Sequence, residues 1–178
     1  MNKVIQYIFF FIFLFYYNSS LAINIFVVDI DYIIENNPQY LKIISEIKKD
    51  QKKYLEYFEK EEQTFANQIK EFENSKLILD DAELNELIFD YNQNYQEFSL
   101  LVENYNNHYN DEISKIRNII LKKVFNLLET YARENNIDLL LDTDNYILAS
   151  NSINITSDIE IKLNKIKFDL GFESFEKN

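Results

Sequence analysis

The sequence has no cysteine, no tryptophan, and only one glycine, one proline and one histidine in 178 residues. Without Cys there is no disulfide, no thiolate nucleophile and no Cys-ligated zinc or iron–sulfur centre. A single Gly excludes a glycine-rich phosphate loop, which needs close backbone approach and positive φ at several positions. A single His excludes His-rich metal sites and gives a His-based triad no support. Positive charge is also scarce. Eighteen Lys+Arg face thirty Asp+Glu, for a net charge of −12, which works against binding nucleic acid or anionic lipid. What stays open is a scaffold or binding protein that needs no cofactor, with paired carboxylates as the one route to an enzyme.

What the sequence does have begins with a greasy N-terminus. Lys3 is the only charge before Asp29, and Val4 to Tyr17 is apolar apart from Gln6. Asn18-Ser19-Ser20-Leu21-Ala22 follows, with small residues at Ser20 and Ala22. This is the three-part layout of an export signal cleaved after Ala22. The apolar run is shorter than the ~20 residues that span a bilayer. An uncleaved anchor continuing through Val28 is the alternative. Cleavage removes one base and no acid, so the net charge moves from −12 to −13.

Past Ala22, Ile23–Asp29 is a β-branched run that reads as a buried strand. Tyr32–Asn36 reads as one helical turn, and Pro38 suits the first position of a new helix. From Gln39 to Lys76 there is no Pro or Gly, and apolar residues recur at Tyr40, Ile44, Ile47, Tyr54, Phe58, Phe65, Ile69 and Phe72. With Gln51 and Glu62 included, this is a heptad stripe with one stutter. A second stripe runs from Leu84 through Ile88, Tyr91, Tyr95, Phe98, Val102, Tyr105, Tyr109, Ile113, Ile116, Ile120, Val124 and Leu127 to Tyr131 in unbroken steps of three or four. Asp80 or Asp81 caps the second helix, with Glu83 in its first turn. Two long helices with a short connection lie antiparallel.

Asn135-Asn136 ends the second helix. Ile137–Asp142 and Tyr146–Ala149 then read as a β-hairpin around Thr143-Asp144. Thr156 is the expected N-cap of a closing helix from Ser157 to about Phe168, and Glu173–Asn178 is the expected frayed tail. The fold class is therefore α+β. A small head (23–38 and 137–178) carries an inserted coiled-coil arm (39–136), and residues 1–22 are the export signal. So small a head buries little apolar surface and leaves a strand edge unpaired, so oligomerisation through it is expected. Ile25, Val27, Leu139, Leu141 and Ile147 are the candidate residues of that oligomer core.

The string Val28-Asp29, the long Gly-poor hairpin, Ile137-Asp138-Leu139-Leu140-Leu141-Asp142, Tyr146-Ile147-Leu148-Ala149 and Ile155-Thr156-Ser157-Asp158 resembles the Skp (OmpH-like) periplasmic chaperone family over the chain beyond Ala22. The resemblance implies a homotrimer with a β-core. Its three hairpins would hang as tentacles around a cavity that holds unfolded outer-membrane β-barrel proteins without ATP. The basic arms usual in that family are missing. Leu77–Ser114 holds nine acids and no Lys or Arg. Lipopolysaccharide binding is therefore not carried over.

Other features have plainer readings. Lys48 and Lys49 stand opposite Asp111 and Glu112 across the hairpin, suggesting ion pairs on a solvated face. A basic collar above acidic tips is the functional alternative. Off-seam Tyr57, Leu100 and Leu101 are the candidate client contacts. His108 reads as a solvated surface residue. Asp142-Thr143-Asp144-Asn145 starts like a calcium loop but lacks its Gly and Glu. Asp29 and Asp31 are a possible acid pair, with helix capping the simpler role. The leading expectation is a non-enzymatic holdase, and the alternative is an envelope coiled-coil spacer or adaptor.

Overall fold

The computed structural model describes residues 23–76 and 78–177, so the expected export signal at 1–22 lies outside the described residues. The first strand, β1 (Ile25–Val28), leads into a short helix, α1 (Ile30–Glu35). Asp29 caps α1 by accepting from the Tyr32 N–H at 2.8 Å, which is the capping role expected of it. Two long helices follow, α2 (Pro38–Ser75, 38 residues) and α3 (Asp81–Glu134, 54 residues). At 1.5 Å per residue they reach about 57 and about 81 Å.

The breaks fall where the local chemistry puts them. Pro38 opens α2, and the fully buried Asn37 caps it by accepting from the Gln39 and Tyr40 N–H groups. Asp80 caps α3 in a capping box with Glu83. At the far end Asn135 closes α3, and Asn136 takes a left-handed φ of 50°, a conformation Asn tolerates better than most residues.

The chain then returns to the first strand. β2 (Leu139–Asp142) pairs with β1 in parallel, with Ile25 opposite Leu139 and Val28 opposite Asp142. Asn154 adds one bridge beside Val27. The last helix, α4 (Thr156–Leu163), packs on α1 and α3. Val28, Ile33, Ile34, Ile155, Ile159 and Leu163 form a core with Ile116, Ile120, Val124 and Leu128 of α3.

Four expectations are corrected here. Tyr146–Ala149 forms no hairpin with β2. Thr143–Asn145 turns as a 3₁₀ helix, and Ile147 and Leu148 stand in solvent with no strand beside them. Thr156 is the first residue of α4 rather than its cap, and its hydroxyl accepts from the Asp29 N–H at 2.9 Å. The helix stops at Leu163, short of Phe168. The tail after it is laid along the hairpin instead of fraying.

Near the head the seam follows the expected stripe at Ile47, Tyr105, Tyr109, Ile116, Ile120 and Val124, and steps one residue off it where Ile43 and Leu128 replace Ile44 and Leu127. Ile43, Ile47, Tyr105, Tyr109, Ile116, Ile120, Val124 and Leu128 are buried, and so are the acids Asp50 and Glu112. Toward the tip, Ile69 and Tyr95 are 47% and 49% exposed, because only one helix is available to cover each of them.

Candidate functional site

The hairpin interior is aromatic. Phe58 meets Phe98 at 5.9 Å and Tyr105 at 5.0 Å between ring centroids. Phe65 meets Phe98 at 5.4 Å and Tyr91 at 5.6 Å. All but the tilted Phe65–Phe98 pair are edge-on, and contacts of that kind add about 0.5–1.5 kcal/mol each beyond burial. They use up most of the aromatic stripe as seam.

One face midway along the arm is left open. Tyr57, Leu100 and Leu101 line a groove of about 540 Å³ together with Phe65, Phe98 and Gln68. Leu100 is half exposed, while Tyr57 and Leu101 are partly covered by the neighbouring seam. Glu61 and Glu97 stand at the rim, and Lys177 closes the head-side end. The Lys177 ammonium donates to the Tyr57 hydroxyl at 2.8 Å and lies 4.6 Å from the centre of its ring. That hydroxyl holds the ammonium pKa above its ordinary value. Gln68 presents a buried Oε1 with no partner, the single such side-chain atom among the described residues. Thr64, Asn94 and Asn104 complete the lining, so the walls are part apolar and part polar; such a groove with a free acceptor suits an extended chain that brings both apolar side chains and backbone N–H groups.

Head-side of the groove lies a polar network that sequence reading missed. Asp50 accepts from the Tyr109 hydroxyl at 2.6 Å and from Lys53 at 2.6 Å. Burial pushes its carboxyl up, but hydrogen bonds from Lys53, Tyr109 and Ser174 outweigh this and hold it below its ordinary value. Burial, and then the bond to Asp50, push the Tyr109 hydroxyl far above its ordinary range, so it stays protonated. Tyr105 is also raised, first by burial and then by the Asp50 charge. Asp50 and Glu112 fall one step off an apolar stripe, and a polar residue there reads as solvated. The one available signal was their position on the inner face of the helices.

The expected ion pairs across the hairpin do not form. Among the described residues, no ion pair joins Lys48 or Lys49 to Asp111 or Glu112. Glu112 instead pairs with Lys115 on its own helix at 3.3 Å and accepts from the Glu173 N–H at 3.1 Å. His108 is not simply solvated, because its Nε2–H donates to the Glu173 carbonyl at 2.7 Å. Asp31 pairs with Arg117 rather than with Asp29, so the two acids do not form a catalytic pair. Among the described residues, no group of three His, Cys, Asp or Glu is placed to hold a metal.

The five candidate oligomer-core residues sort by exposure. Val27 lies inside the chain's own core at 2% exposure, and Leu141 is half-buried. Ile25 (40%), Leu139 (44%) and Ile147 (105%) are on the surface, joined there by Leu148 and Ile23.

A search of curated proteins found no match. Among solved structures, an OmpH-like protein from Caulobacter crescentus shares 13% identity over 85% of this chain and 92% of its own, with a TM-score of 0.46. The family model for outer membrane protein (OmpH-like) matches residues 24–163, well over half of the chain. The chain belongs to the OmpH-like family.

Proposed function

We propose that this chain is an ATP-independent periplasmic holdase, exported by a signal cleaved after Ala22. It binds unfolded outer-membrane β-barrel proteins inside a homotrimer and keeps them from aggregating. The observation that carries this reading is the open groove of Tyr57, Leu100 and Leu101, with the unpaired Gln68 Oε1 beside it. Family membership supports it independently.

In this reading residues 23–38 and 137–178 form the head, and 39–136 form the arm. Three heads join through the exposed apolar residues Ile25, Leu139, Ile147 and Leu148. Three arms enclose the cavity, and each offers one shallow site of mixed apolar and polar lining. Weak sites linked in this way reach high avidity without any single strong contact. No bond is made or broken, so no residue is catalytic and no cofactor is needed. The acidic arm tips disfavour nucleic acid and lipopolysaccharide, both of which are polyanions.

The test dilutes a urea-denatured outer-membrane β-barrel protein into residues 23–178 and follows light scattering at low and high salt. Suppression that saturates at a fixed ratio and survives high salt is expected, because apolar burial is not screened. Suppression lost in high salt points to the basic residues near the head. A folded oligomer that suppresses nothing makes the chain an envelope spacer or adaptor. Tyr57→Ser with Leu101→Ser weakens client holding and leaves helicity unchanged. If both fall together, the groove is structural only.

A further inference from the structure

The family match ends at residue 163, and the chain beyond it follows a course of its own. Residues 166–177 run extended along the hairpin from the head toward the groove. Ile166, Phe168, Leu170 and Phe172 are half-buried, and Lys167, Asp169, Gly171 and Glu173 between them are exposed. An apolar residue at every second position is the pattern of a strand with one greasy face, as in a membrane β-barrel.

Among the described residues, no strand pairs with this segment. Side chains of the hairpin meet its backbone instead. Gln39 donates from Nε2 to the Ile166 carbonyl at 2.7 Å and accepts at Oε1 from the Phe168 N–H at 2.9 Å. Glu112 and His108 take the N–H and carbonyl of Glu173. Tyr54 donates to the Phe175 carbonyl at 2.6 Å, and the Phe175 N–H reaches the Tyr109 hydroxyl at 3.4 Å. The Phe175 ring packs edge-on against Tyr54 and Tyr105. Six main-chain groups are thus held without reference to side-chain identity. Any extended backbone with alternating apolar residues meets the same partners.

We propose that this head-side face of the hairpin is a binding surface for extended, alternating segments of unfolded β-barrel proteins, and that residues 166–177 are its tethered occupant. The identity of the partner rests on the holdase reading; the tethered occupant does not. The segment ends with Lys177 at the mouth of the open groove. Its track therefore continues toward Gln68, which has the same side chain as Gln39 and an unfilled acceptor. A tethered segment competes at an effective concentration of order millimolar. If the strap is closed about 90% of the time, it weakens binding in trans by about tenfold.

Hydrogen exchange on residues 23–178, alone and saturated with a urea-denatured β-barrel protein, tests the displacement. The Phe168 and Glu173 amides should be protected in the free protein and lose about tenfold of that protection when client is bound. Unchanged protection at saturation overturns the proposal. A second arm uses a synthetic peptide of residues 166–177 and a scrambled peptide of the same composition. Against the full chain carrying F168S, F172S and F175S, the ordered peptide should bind about tenfold tighter than it binds the unsubstituted chain, and the scrambled peptide should not. Equal binding of the two peptides, or of one peptide to the two proteins, overturns it. Tighter peptide binding in a chain that suppresses no aggregation keeps the strap and removes the holdase. If the substituted chain loses helicity, the exchange arm alone decides.

Discussion

Asp50 shows how far one residue's environment departs from its local sequence. It sits among Lys48, Lys49, Lys52 and Lys53, where a solvated face is the simple reading, yet it is 5% exposed. A buried carboxylate is costly unless its oxygens are satisfied, and here Tyr109 and Lys53 satisfy them. Because its folded pKa lies below the ordinary 3.8, the ionised form is favoured in the folded chain. That stability is present above the unfolded value and drains away as pH falls through the folded one. Asp50→Asn should therefore cost about 1–3 kcal/mol at neutral pH. It should also flatten the loss of thermal stability between about pH 5 and about pH 3. Parallel slopes for the two proteins would remove Asp50 from this account.

At the scale of elements, the turn between the long helices depends on a cap. Asp80 accepts from the Ala82 and Glu83 N–H groups, both at 2.9 Å, while Glu83 reaches back to the Asp80 N–H. The site is far from the main core, so its loss acts locally. Asp80→Ala should cost about 1 kcal/mol at this helix start, or about fivefold faster exchange of the Ala82 and Glu83 amides. Exchange at Ile116 and Ile120, fully buried beside the head, should not change. A general acceleration would mean that the hairpin opens as one unit.

At the scale of the whole molecule, the proposed assembly rests on the surface of the head. Among the described residues its sheet has two strands, which gain their support from the helices packed on them. Ile147 and Leu148 are 105% and 89% exposed on the irregular stretch that follows β2 and its 3₁₀ turn. In the proposed assembly a neighbouring head covers them. Ile147→Asp should then shift sedimentation of residues 23–178 from oligomer toward monomer and lower client capacity with it, since avidity requires linked arms. An unchanged sedimentation coefficient would move the interface elsewhere.

The sequence by itself determined the elements whose causes are local. Pro38, Asp80, Asn135 and Asn136 mark helix ends through backbone chemistry that acts within a few residues. The long stripes required two helices because only a 3.6-residue period places Phe58, Phe65, Tyr105 and Ile116 on one side. The candidate contacts Tyr57, Leu100 and Leu101 were visible because they are apolar off that stripe. Their meeting in one groove depends on how the helices face each other, and periodicity within one helix does not state that. Tertiary structure decided the rest. Tyr146–Ala149 has strand-forming residues but no strand partner among the described residues, and propensity alone does not make a ladder. Ile166–Phe168 reads as helix and Glu173–Asn178 as frayed until Gln39, Tyr54, His108, Tyr109 and Glu112 converge on the backbone of residues 166–175 from two helices. Those contacts span 61 to 129 residues of sequence, and only packing brings such distant groups together.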